Sequence, residues 1–366
     1  MQTKGVHVVH EPISYFLVIK TIIDSLTVNA ERSSMKKPKV VITNKPFQET
    51  IAFLAPHCNV VANTEIDVWS KPEMMVELQN ATAMMAFMPD VVDETFLDAC
   101  SFLKMISCAL KGYDNFDLKA CARRNITVAF VSDLLTKPTA ELAVGLTIAL
   151  ARNMRAGDWH VRSKGDDGWR AHLYGKGLCD STVGVLGFGA VGRATAIRLS
   201  GFGCQILYYD RAPLSAQEEQ NFSAVQTNLD NLLESSDFIL VCLPLNTTTR
   251  HLVDAERIEQ MKPGSFLVNI SRGSVVNEKA VADALDNGHL AGYAADVFEF
   301  EDLALVDRSR EIDARLLTPD APTVFTQHIG SAVTSVRKEI ELQAARNIVQ
   351  FLRGEIPEDI ILKPVT

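Results

Sequence analysis

The stretch Thr182-Val-Gly-Val-Leu-Gly-Phe-Gly-Ala-Val-Gly192 decides how this chain folds. Thr182–Leu186 reads as a buried strand, and it runs straight into a glycine turn that opens a helix. Gly187 permits the tight turn. Gly189 lets backbone N–H groups approach a pyrophosphate, and Gly192 lets helix and strand pack closely. The first turn of the helix, at Ala190 and Val191, adds the favourable partial positive charge of a helix amino terminus. Asp210 lies 18 residues beyond Gly192, at the end of the next apolar run, Gln205–Tyr209. An acid there is placed to accept hydrogen bonds from an adenosine ribose, which favours NAD over NADP. Arg211 follows immediately and can pair with a 2′-phosphate, so some NADP tolerance is expected.

Outward from this turn, strand and helix patterns alternate on both sides. After it, Phe238–Leu243, Ser265–Asn269, Ala291–Val297 and Val324–Thr326 read as further strands. Before it come Lys39–Thr43, Asn59–Ala62, Ala83–Phe87, Met105–Leu110 and Thr127–Val131. These short apolar runs, with amphipathic segments between them, imply βαβ units and sheets covered on both faces. Pro138-Thr139-Ala140-Glu141 opens a helix expected to reach about Arg155, apolar nearly all round over Leu142–Leu150 and therefore buried. A last helical pattern runs from about Ser331 to Gly354 and is expected to return to the first lobe. The fold class is α/β: two Rossmann-like, doubly wound parallel-sheet domains with a cleft between them. Residues 35–134 with 325–366 form the expected substrate lobe (flavodoxin-like), and 135–324 the NAD-binding lobe. Residues 1–34 fit the pattern poorly and read as an extension upstream of the natural start, because Met35 opens the basic run before the first strand.

Composition sets bounds on the chemistry. A chain of 366 residues suggests about two domains. The net charge of −9 argues against a nucleic-acid backbone as partner, yet allows a local cationic pocket for a small anion. Seven scattered cysteines with no CxxC pair read as reduced thiols, so a cytoplasmic location is expected, with no disulfide and no zinc site. No run approaches the ~18 apolar residues of a membrane span.

Arg272, Glu301 and His328 each follow a separate strand of the second series. Ligands of parallel α/β sheets sit beyond the carboxyl ends of strands, so these three side chains can converge in one crevice. The arginine can clamp an oxyanion in bidentate fashion. A glutamate beside a histidine fixes the ring tautomer and favours the charged imidazole, so the pair can exchange a proton while hydride moves to or from nicotinamide. His328 has no second histidine at ligand spacing, so no metal is expected.

The motifs Val183–Gly192, Leu243-Pro-Leu-Asn246, Asn269-Ile-Ser-Arg-Gly273, Ala295-Asp-Val-Phe298 and His328-Ile-Gly330 resemble those of the D-2-hydroxyacid dehydrogenase family, from about Met35 to the carboxyl terminus. The resemblance implies a homodimer, NAD as cofactor, and Arg272, Glu301 and His328 in the catalytic positions. It implies Thr139, Leu243, Pro244, Leu245, Ser271 and Asp296 beside the cofactor. Gln327 departs from the proline usual before the histidine.

Within that family the chain is most similar to the phosphite-oxidising (phosphonate dehydrogenase) branch. The matches are Ala83–Asp90, Cys108–Asp117, Asp133-Leu-Leu-Thr136, Gly292–Asp302, Arg310-Glu-Ile-Asp313 and His328–Val333. By that similarity Lys111 joins Arg272 at the anion, and Met88, Trp169, Tyr174, Ser331 and Arg337 line or support the pocket. Phosphite carries three oxygens and up to two charges, against two oxygens and one charge for a carboxylate, so a second cation suits it. The alternatives are a dehydrogenase of a small 2-hydroxy or 2-keto acid, and an NAD-sensing scaffold.

Overall fold

The computed structural model describes residues 37–164 and 168–362. The expected extension, residues 1–34, lies outside the described residues. The strands are β1 (Lys39–Ile42), β2 (Asn59–Ala62), β3 (Ala83–Ala86), β4 (Met105–Cys108), β5 (Thr127–Phe130), β6 (Thr182–Leu186), β7 (Gln205–Tyr209), β8 (Ala224–Gln226), β9 (Phe238–Val241), β10 (Ser265–Asn269), β11 (Leu290–Ala295), β12 (Thr323–Phe325) and β13 (Ile360–Leu362). They form two sheets, ordered β13-β5-β4-β3-β1-β2 and β12-β11-β10-β9-β6-β7-β8. Every pairing is parallel except β13 on β5. The two parallel-sheet α/β units expected from the sequence are therefore present.

Every residue of β3, β4, β5, β9 and β10 is buried. Their apolar runs do not alternate because helices cover both faces of each sheet. Strand order reverses between β1 and β3 in the first sheet and between β6 and β9 in the second. Such reversals open crevices beyond the carboxyl ends of the strands. The glycine turn after β6 and Leu243-Pro244 after β9 flank the second crevice.

The helix Thr136–Ala151 buries Ala140, Ala143, Val144, Leu146 and Leu150 and packs against β10, β11, β12 and the helix Ala190–Leu199. It stops before the expected Arg155. Asn153 takes φ +52°, a left-handed conformation that asparagine tolerates better than most residues, and a new helix begins at Met154. The helix Thr334–Leu352 packs against β3, β4, β5 and the helix Gln48–Leu54. Buried Glu341 fastens it, accepting from the Phe47 N–H at 2.9 Å and Thr50 Oγ1 at 3.0 Å.

Strand ends differ from expectation by one or two residues. β9 stops at Val241, β11 spans 290–295 rather than 291–297, and β12 spans 323–325 rather than 324–326. Val297 and Phe298 are buried without belonging to the ladder, so apolar character continues past the strand's end. β8 and β13 were not anticipated. Each is a three-residue edge strand that is not buried on both faces, so neither carries an apolar run.

At the entry to β6, away from the crevice, Asp237 Oδ1 accepts from Lys176 Nζ and Lys262 Nζ, both at 2.6 Å, and Oδ2 accepts from the Thr182 N–H. Burial alone would raise this carboxyl. The three donors outweigh it and hold the pKa down at about 2, against 3.8 for a free aspartate. A depressed acid stabilises the fold above its unfolded pKa, and that stability is lost as pH falls through the folded value. Asp237→Asn should therefore cost about 2 kcal/mol at pH 7, allowing for screening at the half-exposed lysines. Urea unfolding should show the difference shrinking between about pH 4 and pH 2.

Candidate active site

The loops after β3, β4, β10, β11 and β12 come together through side-chain hydrogen bonds. Arg272 leaves β10 and crosses to the loop after β4. Its Nε donates to Asp114 Oδ2 at 2.5 Å and its Nη1 to the Ser271 carbonyl at 2.8 Å. The guanidinium packs against Gly112, where a Cβ would fall 1.7 Å from Nη2. A side chain here would force the guanidinium to move. Both members of the Arg272–Asp114 pair are largely buried. Lys111, next to Gly112, pairs with Asp133 Oδ1 at 3.1 Å; Lys111 is 40% and Asp133 79% exposed.

His328 Nδ1 lies 2.6 Å from Glu301 Oε2. Glu301 ends the short 3-10 turn Glu299–Glu301, and its other oxygen accepts from the Phe298 N–H. His328 has φ +50°, and its N–H donates to the Asp296 carbonyl at 2.8 Å. Asp296, buried behind it, accepts from Thr326 Oγ1, the Ile329 N–H and the Gly330 N–H at 2.6–2.8 Å. With Gln327 in the usual proline position, these bonds still fix the turn that carries the imidazole.

The glycine turn has the expected shape. Gly187 adopts φ +92°, and a Cβ at Gly192 would sit 2.3 Å from the Gly187 carbonyl oxygen. A Cβ at Gly189 would meet no atom within 4 Å, so this turn faces open space on the side where a pyrophosphate would lie. Ala190 and Val191 begin the helix Ala190–Leu199. Asp210 Oδ2 accepts from the Phe188 N–H at 2.7 Å, and Arg211 is exposed beside it. Leu243 abuts Gly187, and the Pro244 carbonyl accepts from Thr249 Oγ1. Leu245 packs on the core beneath. Thr139, at the start of its helix, faces Gly330. Ser271 bonds to Asn269 Oδ1 through both N–H and Oγ.

Met88 is half-buried on the loop after β3, and its carbonyl accepts from Asn115 Nδ2. Arg337 donates to the Ala109 carbonyl at 3.2 Å from beneath the Lys111 loop. Ser331 is half-buried just beyond His328. Trp169 and Tyr174 do not join these residues in their own chain. They are 82% and 76% exposed. The Tyr174 carbonyl accepts from Asn153, past the end of the helix Thr136–Ala151 opposite to Thr139, about 20 Å away at the rise of an α-helix.

Residue spacing does not single out Asp114, Asp133 or Asn115. All three hold other site residues in place, and Asn115 Oδ1 also accepts from the Ala304 N–H on the loop after β11. All three do lie within stretches that carry the resemblance, Asp114 and Asn115 in Cys108–Asp117 and Asp133 at the head of Asp133–Thr136.

Residues 144–330 match the NAD-binding domain of the D-isomer specific 2-hydroxyacid dehydrogenases. The chain belongs to that family. The glyoxylate reductase of Thermofilum pendens is 35% identical over 335 residues, covering 90% of this chain and 96% of its own. That of Pyrococcus furiosus is 34% identical over 340 residues, with 90% and 96% covered. The crystal structure of the TT0316 protein from Thermus thermophilus superposes with a TM-score of 0.80 at 28% identity, covering 88% of this chain and all of that one. This dehydrogenase is thus an oxidoreductase with the family's NAD-binding domain, and the open glycine turn with Asp210 beside it fits that cofactor. Among the described residues no helix is long and apolar enough to cross a membrane, and no group of three or more His, Cys, Asp or Glu side chains could hold a metal ion.

Proposed function

We propose that this dehydrogenase oxidises phosphite to phosphate. The observation that carries the reading is Lys111, a second cation on the loop that the Arg272 guanidinium covers. In the balanced reaction, phosphite dianion, water and NAD⁺ give hydrogen phosphate, NADH and one proton. A P–H bond breaks with its electron pair, and a P–O bond to water forms. NAD⁺, when bound, supplies the hydride acceptor. Arg272 and Lys111 hold the phosphite oxygens and stabilise charge that develops at phosphorus. Asp114 and Asp133 keep the two cations in place; the exposed Asp133 is the easier to displace. His328, with Nδ1 committed to Glu301, has Nε2 left to take the water's proton. Met88 and Ser331 border the anion, and Arg337 supports the loop from below. Thr139, Leu243, Pro244, Leu245 and Ser271 border the cofactor, and Asp296 shapes the turn beside it.

A second reading rests on the relatives named glyoxylate reductase: hydride exchange with a small 2-keto or 2-hydroxy acid. Arg272, Glu301 and His328 would serve it equally, and Lys111 would then be a loop cation satisfied by Asp133. NADH formation with phosphite, with phosphate assayed in equal amount, tests the first reading against D-lactate, D-glycerate and glyoxylate. Turnover of the organic acids alone would overturn it. NAD binding without any turnover would leave the scaffold reading.

Two further expectations belong to this proposal. Asp210→Ala removes the ribose acceptor and frees the Phe188 N–H. The KM for NAD should rise about tenfold or more while that for NADP holds or falls; an equal rise in both would defeat the assignment. Second, a homodimer is proposed from the apolar surface that Met154, Trp159, Val161, Trp169, Leu173 and Tyr174 expose along one segment. Sedimentation equilibrium should give twice the chain mass, and a monomer at micromolar concentration would refute it.

A further inference from the structure

Behind Arg272 and Glu301 lies a buried polar set that the chemistry above does not use. Glu278 is 3% and Glu299 7% exposed. They are joined by a reciprocal pair of bonds. The Glu299 N–H donates to Glu278 Oε1 at 2.7 Å, and the Glu278 N–H donates to Glu299 Oε1 at 3.0 Å. The other Glu299 oxygen lies 3.0 Å from His251 Nε2. Glu299 opens the turn that ends on Glu301, and its N–H anchors the start of that turn to Glu278. The same backbone touches the arginine segment. A Cβ on Gly273 would fall 1.9 Å from the Phe298 carbonyl carbon, and Asp302 Oδ2 accepts from the Ser274 N–H at 2.7 Å. A displaced Glu299 would therefore disturb both Glu301 and the Arg272 turn.

Burying a carboxyl is costly unless it is neutral or well bonded. Glu278 Oε2 has no hydrogen-bond partner. Desolvation pushes Glu278 up to about 8; the Glu299 N–H pulls it down by less than burial raises it, and the charges of Glu299, Glu301 and Asp302 add smaller upward pushes. Tyr293 and His251 are the other titratable groups facing this set. Glu278 Oε1 serves as an acceptor for the Glu299 N–H, a role that glutamine can copy and leucine cannot.

We propose that Glu278 is a positioning residue for the acid–base pair: it holds Glu299, and through it the turn that presents Glu301 to His328. The inference rests on Glu301 and His328 acting as that pair, not on which substrate they serve.

The test uses three full-length variants, Glu278→Gln, Glu278→Leu and His251→Gln, with folding checked by thermal melts. One readout is kcat against KM with any substrate that turns over. The other is the NMR resonance of the His328 Nδ1 proton, which reports its bond to Glu301 without any substrate. Glu278→Gln should leave both at wild-type values. Glu278→Leu should lower kcat about tenfold or more, leave the KM for NAD unchanged, and shift or broaden the Nδ1 signal. His251→Gln should move that signal in the same direction by less. A folded leucine variant with unchanged kcat and resonance overturns the proposal, as does a glutamine variant as impaired as leucine. If the leucine variant does not fold, an unmoved resonance in His251→Gln overturns it instead. Failure of every substrate would sink the function proposed above while leaving the NMR result to decide this one.

Discussion

Arg272→Ala should lower kcat/KM at least about a thousandfold, the largest loss expected from any single substitution in the cleft. Two effects add. The substrate anion loses a paired, charge-assisted donor, worth roughly 1.5–3 kcal/mol per bond. Asp114, largely buried, loses its 2.5 Å partner and leaves a negative charge facing the incoming anion. Arg272→Lys separates charge from geometry. It restores the cation but not the planar fork that lies on Gly112 while reaching Asp114, so a deficit of about a hundredfold should persist. Asp114→Asn is the control. It relieves the orphaned charge but leaves Arg272 less firmly held, and its loss should fall well short of that of Arg272→Ala. Steady-state kinetics with thermal melts separates these effects from misfolding. Near-normal turnover by Arg272→Ala would remove the anion clamp from the scheme, whatever the substrate.

The parts of the site legible in the sequence are those whose position follows from strand order. Arg272, Glu301 and His328 each follow a strand of one parallel sheet, and parallel strands deliver their loops to the same edge. That rule alone brings residues 301 and 328 together, and the structure places the two side chains 2.6 Å apart. Gly187 and Gly192 were legible because backbone sterics demand glycine there: one has positive φ, and the other presses on a carbonyl. What stayed hidden depends on tertiary distance. Asp114 meets Arg272 across 158 residues, and Glu278 meets Glu299 through backbone N–H groups that no side-chain pattern encodes. The break at Asn153 was hidden for another reason. Apolar periodicity reports which face is buried, whereas a single left-handed residue ends a helix without altering that pattern.

Lys111→Met should distinguish the two substrate readings, because it removes the charge while keeping most of the stem. With phosphite, kcat/KM should fall about ten- to a hundredfold, chiefly through KM. A charge-assisted bond to an oxyanion is worth roughly 1.5–3 kcal/mol, and the exposure of Lys111 argues for the lower half of that range. With glyoxylate and NADH the change should stay below about threefold, because Arg272 alone can satisfy both oxygens of a carboxylate. Asp133→Asn makes the reciprocal prediction. It removes the carboxylate that competes for Lys111, so phosphite should bind more tightly, most clearly at low ionic strength, where the competing pair is least screened. Equal losses for both substrates in Lys111→Met would mean that the lysine serves the loop and not the phosphite. The second cation would then no longer favour a three-oxygen anion, and the 2-keto acid reading would stand.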